Sequence, residues 1–210
     1  MSTPPGMEAG EAEQTLGDED RARADLYGVL ARLWYAAPDQ ELLDALARSG
    51  DPTESGDETE LAKAWQALSR ASADADPGAL AHEYDDLFVG TGRSEITLYC
   101  SHYLTETGHE RVVVALRDQL HELELSRSHG ANEPEDHFAG LLEVMRHLIV
   151  RGSNASQITF QIQFFLSYIQ STYRPLIELV LANGGAQYYK NVARLTRAFL
   201  DVESRSFDMI

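Results

Sequence analysis

Apolar residues recur three and four positions apart along most of the chain, which is the spacing of an amphipathic α-helix. The first such stretch carries Leu26, Leu30 and Trp34 and ends before Pro38. Similar stretches follow as far as a last one at 187–205, and none shows the strict alternation of a half-buried strand. The pattern therefore predicts an all-α, single-domain helical bundle of about eight or nine helices.

The same spacing predicts details of the second half of the chain. A helix with a wide apolar stripe is expected to begin around Glu133-Pro134 and to stop at Gly152. The next helix, at 154–169, has a high apolar fraction and is expected to be central and mostly buried. A separate short helix at 176–181 is expected to close with a left-handed cap at 183–185, where the sequence is Asn-Gly-Gly.

The segments between the predicted helices define the domain organisation. Residues 1–17 are rich in Pro, Gly, Ala and Glu without apolar periodicity. They predict a disordered acidic leader that precedes one helical domain at 18–210. The stretch 89–101 contains Gly90 and Gly92 and has no helical period, so it is the candidate hinge loop.

The chain is strongly acidic, with 34 Asp and Glu residues against 17 Lys and Arg residues and a formal net charge of −17. Binding to nucleic acid is therefore not expected, because neutralising phosphates requires clustered basic residues. Only Lys63 and Lys190 among the basic residues are lysines. This composition is typical of proteins adapted to a saline cytoplasm, and an acidic protein from a GC-rich genome is the alternative.

No stretch of the sequence has the roughly 20 uninterrupted apolar residues of a membrane span, so stable membrane insertion is not expected. The start of the chain lacks the basic and apolar regions of a signal peptide, and the expected location is the cytoplasm. Cys100 is the single cysteine, which excludes an intramolecular disulfide. It stands near His102, but adjacent residues of an extended loop point in different directions. A small, partly buried residue is the expected role of Cys100.

The usual catalytic motifs are absent from the sequence, including the phosphate loop, the dinucleotide fingerprint and the nucleophile elbow. His109-Glu110 and His121-Glu122 each begin like a zinc-binding helix, but Val113 and Leu125 stand where the second histidine would be. The sequence therefore predicts neither a metal site nor an enzyme.

One segment, Asn132 to His137, precedes a strongly apolar predicted helix. Asn132 and Glu135 have the spacing of a capping box, and Pro134 suits a first helical turn. Helix-start chemistry thus accounts for this segment except for His137, which lies at the edge of the apolar stripe, while Asp136 falls on the more polar face. A histidine in that position could donate a hydrogen bond to a bound peptide.

A second segment runs from Tyr84 to Leu104. Aromatic and apolar residues lead into the glycine-bearing loop, and the sequence Tyr-Cys-Ser-His-Tyr-Leu follows it. Such residues would form the wall of a groove next to a hinge. Packing into the core is the equally compatible alternative.

Together these two segments resemble the TorD/DmsD/NarJ family of redox-enzyme maturation chaperones, and its TorD/DmsD-like branch in particular. Residues 84–104 are similar to the family's Leu-Phe-Val-Gly motif and its aromatic-x-Ser-x-Tyr-Leu segment. Glu133, Pro134, Asp136 and His137 are similar to its Glu-Pro-Asp-His motif, with an additional glutamate between the proline and the aspartate. The last predicted helix is also similar to that of the family.

The resemblance implies a cytoplasmic chaperone without a cofactor of its own. Its partners would be the twin-arginine signal peptide and the apo form of a molybdoenzyme of the dimethyl sulfoxide or trimethylamine N-oxide reductase class, held until cofactor insertion. The alternatives are a NarJ-like nitrate reductase assembly chaperone, which binds a mature subunit's tail, and an unrelated helical regulator or enzyme. A monomer and a domain-swapped dimer are both compatible with the sequence.

The resemblance also implies a peptide-binding site, because such a leader combines two arginines with a short apolar stretch. Asp136 would pair with a leader arginine, and His137 would donate a hydrogen bond. The complete set of expected signal-peptide-binding residues is Tyr84, Leu87, Phe88, Tyr99, Ser101, Tyr103, Glu133, Pro134, Asp136 and His137.

Overall fold

A computed structural model describes residues 16–49, 59–90, 94–123, 125, 134–152 and 154–209. Most of the predicted leader, together with Gly92 and Glu133, therefore lies outside the described residues. The described chain contains ten α-helices and two π-helical turns, which join into nine continuous helical segments. The predicted all-α, single-domain fold is confirmed.

The helices are α1 (Asp18–Tyr35), α2 (Gln40–Arg48), α3 (Glu60–Ala73), α4 (Pro77–Tyr84), α5 (Ser101–Leu104), α6 (His109–Glu122), α7 (Phe138–Val150), α8 (Ala155–Phe164), α9 (Gln170–Ala182) and α10 (Tyr188–Phe207). The π-helical turns are π1 (Asp85–Val89), which continues α4, and π2 (Phe165–Ile169), which joins α8 to α9.

The centre of the bundle is an antiparallel pair formed by α1 and α7, which share the most extensive contact among the described helices. Trp34 near the end of α1 meets Phe138 at the start of α7, and Gly28 faces Arg146 further along. Seven of the thirteen residues of α7 are buried, so the wide apolar stripe predicted for this helix is confirmed. On the outside of the pair, α10 packs against α3 and α9, and α2 packs against α3.

Side chains cap several helices at their N-termini. Asp76 accepts a hydrogen bond from the backbone N–H of Ala79, and Asn154 accepts one from that of Gln157, as is usual for N-cap residues. The N-terminus of α10 is capped instead from another helix. The Glu83 carboxylate accepts hydrogen bonds from the backbone N–H groups of residues 187, 188 and 189, at 2.9 to 3.2 Å. A negative group at this position also favours the helix dipole.

The predicted start of α7 is wrong by several residues. This helix begins at Phe138 rather than around Glu133-Pro134, and its N-cap is His137, whose side chain accepts a hydrogen bond from Ala139 N–H. The residues before it form a turn and an isolated β-bridge. Asp136 therefore precedes the helix and does not lie on its polar face.

The helix at 154–169 is less buried than predicted. Phe160 is 42% exposed and Leu166 is also exposed, whereas Gln161 and Phe164 are buried. The π-helical turn π2 changes the phase of the helix at this point, because its wider turn shifts which residues face the core. An uninterrupted 3.6-residue period places Phe165 and Ile169 correctly in the core but wrongly places Leu166 there as well.

The helical segment that follows π2 and the last helix, α10, also differ from prediction. Through π2 the helical run continues into α9, with Pro175 inside it, so there is no separate helix at 176–181. Asn183, which follows α9, has an extended conformation (φ −72°, ψ 127°), and a left-handed cap is not formed. In α10 the helical spacing of Val192, Leu195, Phe199 and Val202 predicts that all four face inward, but Val202 is exposed. No helix among the described residues is both long and apolar enough to span a membrane.

Candidate functional site

The two segments singled out in the sequence lie side by side in the structure. Tyr99 and His137 form an isolated antiparallel β-bridge. Phe138 N–H donates to the Leu98 carbonyl at 2.7 Å, and Cys100 N–H donates to the Asp136 carbonyl at 2.8 Å. We call the paired residues 97–101 and 134–138 the bridge junction. It joins α5, α7 and the end of the loop that follows π1.

Asp136 is part of the interior of the bridge junction. Its side chain is 2% exposed, and its Oδ2 accepts a hydrogen bond from Ser101 N–H at 3.3 Å. A peptide guanidinium would have to enter the protein to reach it. The geometry therefore favours an architectural role for Asp136 rather than the predicted surface pairing with an arginine.

Cys100 is also inside the junction and is fully buried. Burial, and to a lesser degree the negative charge of Asp136, raises the pKa of the Cys100 thiol to about 12. Nucleophilic chemistry requires the thiolate, which such a pKa strongly disfavours at neutral pH. The structure thus agrees with a packing role for Cys100, although the residue is fully buried and not partly buried as expected.

Three rings form a row over the bridge junction, which we call the aromatic row: Tyr99, His137 and Tyr35. The His137 ring is edge-on to Tyr99 with centroids 5.5 Å apart, and edge-on to Tyr35 at 6.1 Å. His137 is buried, whereas Tyr35 is 52% exposed. His137 Nδ1 accepts the Ala139 N–H, so the neutral ring carries its proton on Nε2. The row therefore has an exposed end at Tyr35.

Tyr35 is not among the residues predicted from the sequence, because its position at the end of α1 is far from both motif segments. A signal for it was present. Tyr35 follows the buried Trp34 directly and lies just before Pro38, so it belongs to the last turn of an apolar helix but not to the buried stripe.

Tyr84, Leu87 and Phe88 are buried, and they do not form the open groove wall that was predicted for them. The Tyr84 hydroxyl donates to the Tyr35 carbonyl at 2.7 Å. The Phe88 ring is edge-on to Trp34, with centroids 5.7 Å apart. These side chains pack against the end of α1. The structure therefore has the core-packing alternative and not the groove wall.

The remaining predicted residues surround the junction. Ser101 is buried at the start of α5, and the half-buried Tyr103 donates from its hydroxyl to the Thr97 carbonyl at 2.7 Å. Pro134 is exposed. Gly90 ends π1 with a φ of 61°, a left-handed value that favours glycine.

An acidic cavity of about 600 Å³ opens beside π1. Glu83, Asp86 and Glu95 line it together with Leu87 and the 183–185 turn, and no Lys or Arg is among its described lining residues. Two of the acids already have partners within the protein. Glu83 caps α10, and Glu95 accepts a hydrogen bond from Asn183 Nδ2 at 2.6 Å. Within the described part of the chain, His, Cys, Asp and Glu form no cluster of three that could hold a metal ion.

In its described residues the protein is a helical bundle whose two motif segments meet in one junction. Its fold is shared with a crystal structure described as that of a redox enzyme maturation protein from Archaeoglobus fulgidus. The two chains are 18% identical with a TM-score of 0.58, over 92% of this chain and 99% of that chain. No curated protein matches the sequence significantly.

The model of the nitrate reductase delta subunit family matches residues 54–176, and the chain belongs to this family. This is the family of NarJ/TorD-type chaperones, so the family predicted from the motifs is confirmed. Its members are maturation chaperones and not catalysts. The protein is accordingly a redox-enzyme maturation chaperone and not an enzyme.

Proposed function

We propose that this chaperone binds the twin-arginine signal peptide of a molybdoenzyme of the dimethyl sulfoxide or trimethylamine N-oxide reductase class. It would hold the apo catalytic subunit in the cytoplasm until the cofactor is inserted, and so delay export. The observation that carries the proposal is the bridge junction, where two segments distant in sequence meet under the aromatic row.

The apolar part of the leader would lie along the aromatic row. Tyr35 supplies exposed aromatic surface, and Tyr99 is partly exposed at the other end of the row. The buried His137 between them keeps both rings in place through edge contacts. Aromatic side chains with a polar tip suit such a role, because they bury apolar area and still reach water or a peptide group.

The basic part of the leader requires carboxylates at the edge of this surface. Asp85 and Asp86 are exposed on π1, and Glu135 precedes the buried Asp136 in the junction. With Asp136 inaccessible, these acids are the candidates for contact pairs with arginine. Glu133, which was also predicted to belong to the site, lies outside the described residues.

A second client class is favoured by the family match. The matching family is described as the nitrate reductase delta subunit, which points to a nitrate reductase subunit as the alternative client. Isolating the protein with its partners from the native cytoplasm and sequencing the client's N-terminus separates the two. A twin-arginine leader of a dimethyl sulfoxide reductase relative supports the first proposal, and a nitrate reductase subunit supports the second.

Domain swapping remains part of the proposal for the loop at 89–101. Its second half is fixed by the bridge junction and by the hydrogen bond from Ile96 N–H to the Leu87 carbonyl, at 2.9 Å. An exchange of helices between two copies would therefore pivot near Gly90. We therefore propose that the protein is either a monomer or a domain-swapped dimer.

Binding of the leader is expected to survive high salt. At about 1 M salt the Debye length is about 3 Å, so long-range attraction to a protein of charge −17 disappears. Contact pairs and apolar burial, worth about 25 cal/mol per Å², remain. Titrating a fluorescent twin-arginine leader at rising KCl measures this, with a leader whose apolar stretch is replaced by serines as the control. A loss of affinity of about tenfold or more above 1 M KCl would contradict it.

A further inference from the structure

Helix α6 is the least buried helix of the described chain. Leu116 is the only buried side chain among its fourteen residues, compared with seven of thirteen in α7. Val112 and Leu120 add partly buried contacts. A helix with so few buried apolar groups has low local stability, because burial is what opposes its opening.

Two arginines tie α6 to the rest of the protein. Arg117 on α6 donates from Nε and Nη2 to the two carboxylate oxygens of Glu135, at 3.0 and 3.1 Å. Arg151, which follows α7, donates from Nη1 to the carbonyl of Leu123 at the end of α6, at 2.6 Å. The first of these contacts therefore connects α6 directly to the bridge junction.

The Glu135 carboxylate is positioned to bind a guanidinium group next to the aromatic row. Its side chain is only 14% exposed, and it lies two residues from His137 in the junction. Its two oxygens face one guanidinium in the parallel, two-bond geometry that selects arginine over lysine. The side chain of Arg117, by contrast, is 58% exposed and brings its guanidinium in from solvent.

We propose that Arg117 occupies the place of a client arginine on Glu135, and that an arginine of the leader displaces it when the leader binds. This inference rests on the proposed function and names one of its contacts. On displacement α6 would loosen from the junction while remaining attached through α5. The arginine would then enter beside the aromatic row, where the apolar stretch of the leader lies.

Replacing Arg117 by a leader arginine on Glu135 is expected to cost little free energy. The outgoing and incoming groups are the same guanidinium on the same carboxylate, so the two hydrogen bonds lost are replaced by two of the same kind. An ion pair with an exposed partner contributes about 0–1 kcal/mol, so Arg117 opposes the leader only weakly. Glu135 also occupies the position between proline and aspartate that the family's Glu-Pro-Asp-His motif lacks, which would make this contact particular to the present chain.

The test compares leader affinity among three single variants and one double variant of the full chain, using one peptide with two arginines and one with both replaced by lysine. Arg117→Ala opens the Glu135 site. Arg111→Ala is the matched control, because it removes the same charge from the same helix and its exposed guanidinium has no described partner. Glu135→Gln removes the receptor.

Arg117→Ala is expected to bind the arginine peptide about two- to fivefold more tightly than Arg111→Ala does. The gain should be absent with the lysine peptide and absent when Arg117→Ala is combined with Glu135→Gln. Equal affinities of Arg117→Ala and Arg111→Ala, or an equal gain with lysine, would overturn the inference and leave the proposed function intact. If the unaltered protein binds neither peptide, the proposed function fails and the inference with it.

Discussion

Replacing Tyr35 by alanine is expected to weaken leader binding by about 30-fold, which corresponds to about 2 kcal/mol. Tyr35 is the exposed end of the aromatic row, and 52% of its surface is available to a partner. Buried aromatic anchors carry a large share of the energy in most interfaces. The side chain makes little contribution to the core, because it is its backbone carbonyl that accepts the Tyr84 hydroxyl. Titration of a labelled leader against both proteins measures the change.

Phe160→Ala is the matched control for this prediction. Phe160 is another aromatic residue of comparable exposure, at 42%, but it lies on α8. Its neighbour Gln161 contacts Arg23, twelve residues from Tyr35 along α1 and therefore about 18 Å away. Phe160→Ala should leave affinity unchanged, and Tyr35→Phe should retain most of it. Equal losses in Tyr35→Ala and Phe160→Ala would show that leader binding does not use the aromatic row.

Helix periodicity predicted the architecture correctly because a helix in a bundle must bury one face. For α1 the spacing of Leu30 and Trp34 places both in the core, where the structure has them fully buried. The caps at Asp76 and Asn154 were predictable for a related reason, since a short polar side chain before an apolar run satisfies the free N–H groups. These signals are local, and local signals can be read from sequence.

The helix predictions fail where the local sequence pattern does not determine the backbone conformation. The turn before α7 has the residues of a helix start, but pairing with 98–100 holds it as a β-bridge until His137. The misassigned Leu166 lies in π2, whose extra residue per turn has no reliable signature in composition. In both cases tertiary structure overrides the period of the sequence.

The structure brings the two motif segments together, but the exposure of their side chains could not be predicted from the sequence. Tyr84 and Phe88 are apolar whether they line a groove or fill the core, so residue type could not decide between these roles. The positions of α1 and α10 decide, because Trp34 and the Tyr35 backbone cover these side chains from α1 and the Tyr189 ring contacts both from α10. Likewise two adjacent acids, Glu135 and Asp136, looked equivalent in the sequence. The bridge turns Asp136 inward and leaves Glu135 toward α6.

Replacing Trp34 by alanine is expected to lower the free energy of unfolding by about 3–5 kcal/mol. Trp34 is fully buried and edge-on to both Phe88 and Phe138. Its Nε1–H donates to Thr196 Oγ1 on α10 at 2.9 Å. Three parts of the chain thus meet on one side chain: π1, α7 and α10. Chemical denaturation followed by far-ultraviolet circular dichroism measures the loss without relying on the fluorescence of the altered residue.

The other tryptophan of the chain provides the control. Trp65 on α3 is only partly buried, and its Nε1–H donates to the carbonyl of Ser49 at 3.1 Å. Trp65→Ala should cost about half as much or less, because less apolar area leaves contact with the core. Trp34→Phe keeps most of the packing and should cost about 1–2 kcal/mol, which gives a measurable value even if the alanine variant does not fold. If Trp34→Ala lowers the free energy of unfolding no more than Trp65→Ala does, Trp34 is not the side chain that joins π1, α7 and α10.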